Sequence, residues 1–137
     1  MEQLEKYGAL LARILLVSIF ILAGVRKIGD FSGTQAYMAA RGMPVTAFLA
    51  VCALLVELGG GLSILVGYKA RLGAFILFLF LIPTTLIFHT SLGGAFPAEQ
   101  VRFQQAMMMK NLAIMGGLLV IAVQGAGGLS FDARRKE

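Results

Sequence analysis

Phe48-Leu49-Ala50-Val51-Cys52-Ala53-Leu54-Leu55-Val56-Glu57-Leu58-Gly59-Gly60-Gly61 decides the fold of this chain. The stretch is apolar throughout apart from one carboxylate. With its flanks it covers about 45–66, the roughly 20 residues that a helix needs to cross the hydrocarbon of a bilayer. Three further windows, about 9–26, 71–90 and 106–124, have the same character. Between the second and third spans stands only Gly67-Tyr68-Lys69-Ala70, and so short a connection joins antiparallel neighbours.

The whole chain agrees with its most telling segment. Of 137 residues, 58% are hydrophobic and 14% charged, against roughly 45–50% and about 25% in ordinary soluble domains. A domain this short exposes much of its surface, so the excess has no interior to occupy and lipid is its solvent. The first window is followed by three more of similar length, which predicts a retained span and not a cleaved leader. The formal charge of +5 is spread over loops and termini, which sets nucleic acid aside as a partner. A single cysteine, Cys52, excludes an internal disulfide and any paired-cysteine metal or haem signature. No metal site or cofactor motif is evident.

The expected fold is all-α: one domain over 1–137, an antiparallel up-down four-helix bundle integral to the membrane. A short interfacial helix is expected between spans one and two. Its predicted start is Ser32 as N-cap with Gln35 as reciprocal partner, its stop Gly42 and Pro44, and its apolar side Phe31, Tyr37 and Met38. The loop with Gly93-Gly94 and Pro97 shows turn residues without a helical pattern. Lys6, Lys69, Arg71, Arg134, Arg135 and Lys136 outnumber Arg26, Lys27, Arg41 and Arg102 on the opposite side, which predicts cytoplasmic termini.

Ionisable groups at membrane depth face the bundle and find partners, because a charge in the bilayer centre costs about 2.5–3.5 kcal/mol even on lenient scales. Glu57 stands alone on its helix, with Arg13, Lys27 and Lys110 as candidate counter-charges. Arg13, Val17, Phe20, Gly24 and Lys27 advance by alternating steps of four and three, so they share one inward face. Thr85 and His89 share a face just beyond Pro83, and Asn111 stands beside Lys110. By depth, Lys27, His89, Lys110 and Asn111 are expected around the outer half of the bundle with Glu57 beneath, a polar pocket opening outward.

Each of these residues also has a plainer reading. Glu57 can be a strut that locks helix register, Lys110 can snorkel to the interface, and His89 can be an ordinary interfacial imidazole. Burial favours the neutral acid at Glu57 and a neighbouring cation favours the carboxylate, so both forms stay open. Cys52 reads as packing, and the Gly59-Gly60-Gly61 and Gly116-Gly117 runs read as seams for close helix approach. Met107-Met108-Met109 reads as lipid-facing filler.

Several ordered motifs carry a family resemblance. They are Ala12-Arg13-Ile14, Gly24-Val25-Arg26-Lys27, the stretch Gly33-Thr34-Gln35-Ala36-Tyr37-Met38, and Gly42-Met43-Pro44. Glu57, then Gly67 with Arg71, follow, and after them Lys110-Asn111 and Gly125-Ala126-Gly127-Gly128-Leu129-Ser130-Phe131-Asp132. In their order and spacing the chain resembles the DoxX family of small four-span bacterial inner-membrane proteins. Met108-Met109 stands where related chains have an aromatic residue before the Lys-Asn pair. The resemblance implies a place in the bacterial inner (plasma) membrane. It also implies kinship with membrane subunits of oxidoreductases that pass electrons to quinone, one of them associated with thiosulfate oxidation. More distant relatives are similar to eukaryotic membrane chaperones and cargo receptors.

The expected function is an accessory or membrane subunit of a redox or respiratory system, not catalytic by itself, with an intramembrane polar pocket for a quinone or similar amphiphile. The pocket residues expected are Glu57, Lys110, Asn111, His89, Lys27 and Arg13. Two rivals stand beside it. One is an interaction or assembly module that recognises a partner's transmembrane helix, or a second copy of the chain, and the other is a proton-linked small transporter.

Overall fold

The computed structural model describes residues 1–135, so Lys136 of the basic tail lies outside the described residues. Its regular structure is helical throughout: α1 (Glu2–Gly29), α2 (Phe31–Ala40), α3 (Thr46–Val66), α4 (Ala70–His89), α5 (Val101–Gln124) and the single turn α6 (Phe131–Arg134). The four long helices are each long and apolar enough to cross a membrane. Leu15, Phe48, Leu55 and Val123 are each more than 60% exposed, an outer surface suited to lipid and not to water.

The helices outrun the apolar windows that announced them. Helix α1 starts at Glu2, where two acidic residues complement the positive end of the helix dipole and Lys6 pairs with Glu2 at 2.6 Å one turn on. Helix α5 starts at Val101 and not near 106, because Gln104 and Gln105 interrupt the apolar pattern without interrupting the backbone. The Gly94–Pro97 loop is flanked by two short 3-10 turns, Ser91–Gly93 and Ala98–Gln100.

Helix α2 forms as expected, but its cap differs. Asp30, not Ser32, is the N-cap, and its Oδ1 accepts the Gly33 N–H at 3.1 Å. A carboxylate one residue before Phe31 reaches the third amide of the helix, so Ser32 falls inside the first turn. Gln35 turns instead to the next helix and accepts a hydrogen bond from Thr46 at 3.2 Å. Met38 is buried against Ala50, Ala53 and Phe88, so α2 lies over the end of the bundle remote from the termini.

At the terminal end α3 and α4 approach closely. A Cβ on Gly60 would stand 2.7 Å from Leu77 Cγ, and one on Gly73 would stand 2.7 Å from Ser63 Oγ, so both must be glycine for this crossing. Gly67 ends α3 at φ 73°, a left-handed conformation that only glycine adopts freely, and closes the turn with Tyr68 N–H on Ser63 O at 3.0 Å. The main core of Val17, Phe20, Ile64, Leu77, Leu81 and Leu118 is packed around this crossing.

Candidate functional site

Closed at the terminal end, α3 and α4 bound a cavity in their other half. It is a half-open cleft of about 1300 Å³, above the roughly 300–1,000 Å³ of ordinary ligand sites. Its walls come from α1, α2, α3 and α4, whereas α5 contributes none. Helices α1 and α2 contribute the charged groups Arg26, Lys27 and Asp30, and α3 and α4 contribute mainly apolar groups, Leu49, Cys52, Val56, Phe80, Pro83 and Ile87, with Glu57, Thr84 and His89 as their polar exceptions.

Lys27 and Glu57 meet inside this cavity. Lys27 Nζ stands 2.7 Å from Glu57 Oε2, with Glu57 7% exposed. The ammonium approaches outside good hydrogen-bond angles, and that oxygen has no other donor among the described residues. Gly24 makes the pair geometrically feasible. A Cβ there would stand 2.5 Å from Leu58, so glycine lets α1 and α3 come close one turn below Lys27.

The single outward pocket expected from the sequence divides into separate sites. Asn111 and His89 serve the α4–α5 interface: Asn111 Nδ2 donates to Thr85 Oγ1 at 3.0 Å, and His89 Nδ1 lies 2.8 Å from Gln104 Oε1. His89 also touches the cavity edge, but Asn111 does not line it. Lys110 is exposed on the outside of α5, its Nζ 3.6 Å from Met107 Sδ. Neighbouring helical residues point about 100° apart, so turning Asn111 inward turns Lys110 outward.

Arg13 is not a partner of Glu57. Fourteen residues separate it from Lys27, about 21 Å along the helix. At 1% exposure it donates instead to Ile64 O at 3.2 Å and to Leu129 O, which ties α1 to the end of α3 and to the C-terminal segment. The face of Arg13, Val17, Phe20 and Gly24 does turn inward, as its spacing requires.

Two residues that the sequence reading counted only as loop charges or motif letters do structural work at the two ends. Arg41 donates to Ile87 O at 3.0 and 2.8 Å, to Thr90 O at 2.7 Å and to Gly94 O at 3.1 Å, and its guanidinium stacks on Phe96 at 4.1 Å. It thereby satisfies carbonyls left open at the end of α4 and fastens the end of α2 over the cavity, beside the stacked Tyr37 and Phe88 rings. At the opposite end Asp132 accepts the Lys69 and Ala70 N–H groups at 2.8 and 2.9 Å, an N-cap for α4 supplied from the far end of the chain.

Fold and site together define a small polytopic membrane protein: four spans, a short helical roof, and a cavity in one half with a buried ion pair. The family model described as DoxX matches residues 8–90, which include all but the first residues of α1 and the whole of α2, α3 and α4, and so nearly the whole cavity wall. Similarity extends over more than nine-tenths of the chain in two Escherichia coli (strain K12) proteins. Inner membrane protein YqjF is 42% identical over 96% of this chain and 95% of its own length. Inner membrane protein YphA is 33% identical over 91% and 88%. No solved structure matches the chain. The chain belongs to the DoxX family and is a multi-pass inner-membrane protein.

Proposed function

We propose that the cavity binds an amphipathic ligand of the quinone type, and that the chain serves a redox or respiratory system as an accessory or membrane subunit. The observation that carries this reading is the Lys27–Glu57 pair set in a largely apolar cavity of about 1300 Å³ within the membrane. Such a site offers a hydrogen-bonding cation and a carboxylate to a polar head, and apolar walls to the rest of the molecule. Lys27 would donate to a head-group oxygen, and Glu57 would accept from a hydroxyl or exchange a proton. Electron transfer would be the ligand's chemistry, because the only redox-active side chain is the isolated thiol of Cys52.

Binding of a ubiquinone analogue with a ten-carbon tail to the protein in nanodiscs tests this reading. Saturable binding that weakens in Lys27→Met and Glu57→Gln supports it, and binding indifferent to both substitutions counts against it.

One observation favours a second reading, a module that recognises a partner's transmembrane helix. Lys110 is a lipid-facing cation with no carboxylate within 4.0 Å among the described residues, and a carboxylate on a neighbouring helix would neutralise it. Loss of a defined membrane cross-link in Lys110→Met, with quinone binding intact, would favour that reading.

A further inference from the structure

We infer that the cavity exchanges its occupant with the surrounding lipid through the seam between α3 and α4, so that the ligand is a membrane-dissolved amphiphile whose tail leaves by that seam. The identity of the occupant rests on the ligand reading above, whereas the route rests on geometry alone.

Three features define the route. First, α3 and α4 are pinned at the terminal end by the tight turn at Gly67 and by the Gly60–Leu77 and Gly73–Ser63 contacts, yet the cavity lies between their other halves. The two helices bound a wedge, narrow at the hairpin. Second, the wide end is roofed: Arg41 fastens α2 to Ile87, Thr90 and Gly94, Tyr37 stacks on Phe88 at 5.0 Å, and Met38 is buried. Third, the lips of the wedge are apolar and incompletely covered. Cys52 and Val56 on α3 and Phe80 and Ile87 on α4 are half-buried, and Pro83 is exposed.

The polarity of the walls then orients the occupant. The Lys27–Glu57 pair, with Arg26, Asp30 and Thr34 near it, takes the head where α1, α2 and α3 meet, and the apolar α3–α4 lips face lipid tails. A membrane-dissolved molecule needs no passage through water to adopt this pose, whereas a fully water-soluble one has no reason to cross the lips.

Cys52, the single cysteine of the chain, lies on the α3 lip and reports on the route without engineering. In nanodiscs, its labelling by the bilayer-partitioning reagent N-pyrenylmaleimide is compared with that by a sulfonated maleimide, each rate normalised to the unfolded chain. A sulfonate enters hydrocarbon only at a large free-energy cost, so its labelling is expected to be slower by about tenfold or more. Val56→Phe, or Ile87→Phe on the opposite lip should the first variant fold poorly, is expected to slow the pyrene reagent. Comparable rates for the two reagents would overturn the inference, because the cavity would then open to water. So would an unchanged pyrene rate in a folded lip variant, because Cys52 would then simply face lipid. Protection of Cys52 by the ten-carbon ubiquinone analogue is read separately, and its absence would count against the ligand reading alone.

Discussion

Lys27 near the end of α1 and Glu57 in the middle of α3 stand 2.7 Å apart and line one cavity, with Glu57 buried and Lys27 half-buried. Either group alone would be an uncompensated charge, and together they join α1 to α3 at the cavity end, as the Arg13 hydrogen bond to Ile64 O joins the same helices at the terminal end.

Removing one member of this pair leaves the other uncompensated. Glu57→Ala or Lys27→Met is therefore expected to lower stability by about 3–5 kcal/mol, whereas the double substitution Lys27→Met with Glu57→Leu recovers much of the loss. Thermal unfolding in a fixed detergent measures both. A double variant no better than the worse single one would contradict the account of the pair.

Arg41 should be irreplaceable by lysine. One ammonium cannot span Ile87 O, Thr90 O and Gly94 O as the planar guanidinium does. Arg41→Lys and Arg41→Ala are both expected to speed amide hydrogen exchange across α2 and the Ser91–Gly93 turn while leaving α5 unchanged. Equal protection of α2 in the wild type and Arg41→Lys would show that the roof is held by packing alone.

Asp132 caps α4 from the opposite end of the sequence, so its loss is felt at the α3–α4 hairpin. Asp132→Ala is expected to cost about 1–2 kcal/mol and to expose the bond after Lys69 or Arg71 to trypsin. Asp132→Asn, which keeps one acceptor oxygen, should fall between the two. Unaltered proteolysis at the hairpin in Asp132→Ala would speak against the cap.

Gly24 tolerates no side chain without movement of Leu58, whose Cδ2 and Cγ would lie 2.5 Å from an added Cβ. Gly24→Ala is expected to destabilise by about 1–3 kcal/mol through overpacking, and Gly24→Ala with Leu58→Ala to recover part of it. Gly116, whose Cβ would meet nothing within 4 Å, serves as the control, since Gly116→Ala should be neutral or mildly stabilising.

The four spans were legible in the sequence because a bilayer demands about 20 apolar residues per crossing, and few other folds use such runs. Glu57 was legible because a lone carboxylate in such a run must find a partner, whether as a strut or in a site. Its partner was not. Choosing Lys27 over Lys110 depends on the rotation of α5, where one residue of offset turns Asn111 toward Thr85 and Lys110 toward lipid. Ranking by depth also left Arg13 in contention, although it binds the Ile64 and Leu129 carbonyls at the other end of the bundle.

Arg41 and Asp132 escaped notice for a different reason: their partners are backbone carbonyls and amides, which carry no letter in the sequence. The signal available was position. Arg41 precedes the Gly42-Met43-Pro44 stop and Asp132 closes the Gly125–Asp132 motif, both at points where a helix end needs partners.

Mass spectrometry of the protein extracted directly from its native membrane into nanodiscs, beside the Lys27→Met, Glu57→Leu double variant that removes the polar pair from the cavity, tests the ligand-binding claim most directly. The account predicts a quinone-type amphiphile retained by the wild type and lost from the folded variant. A wild type that carries no such molecule, or a variant that retains it in equal amount, would contradict it.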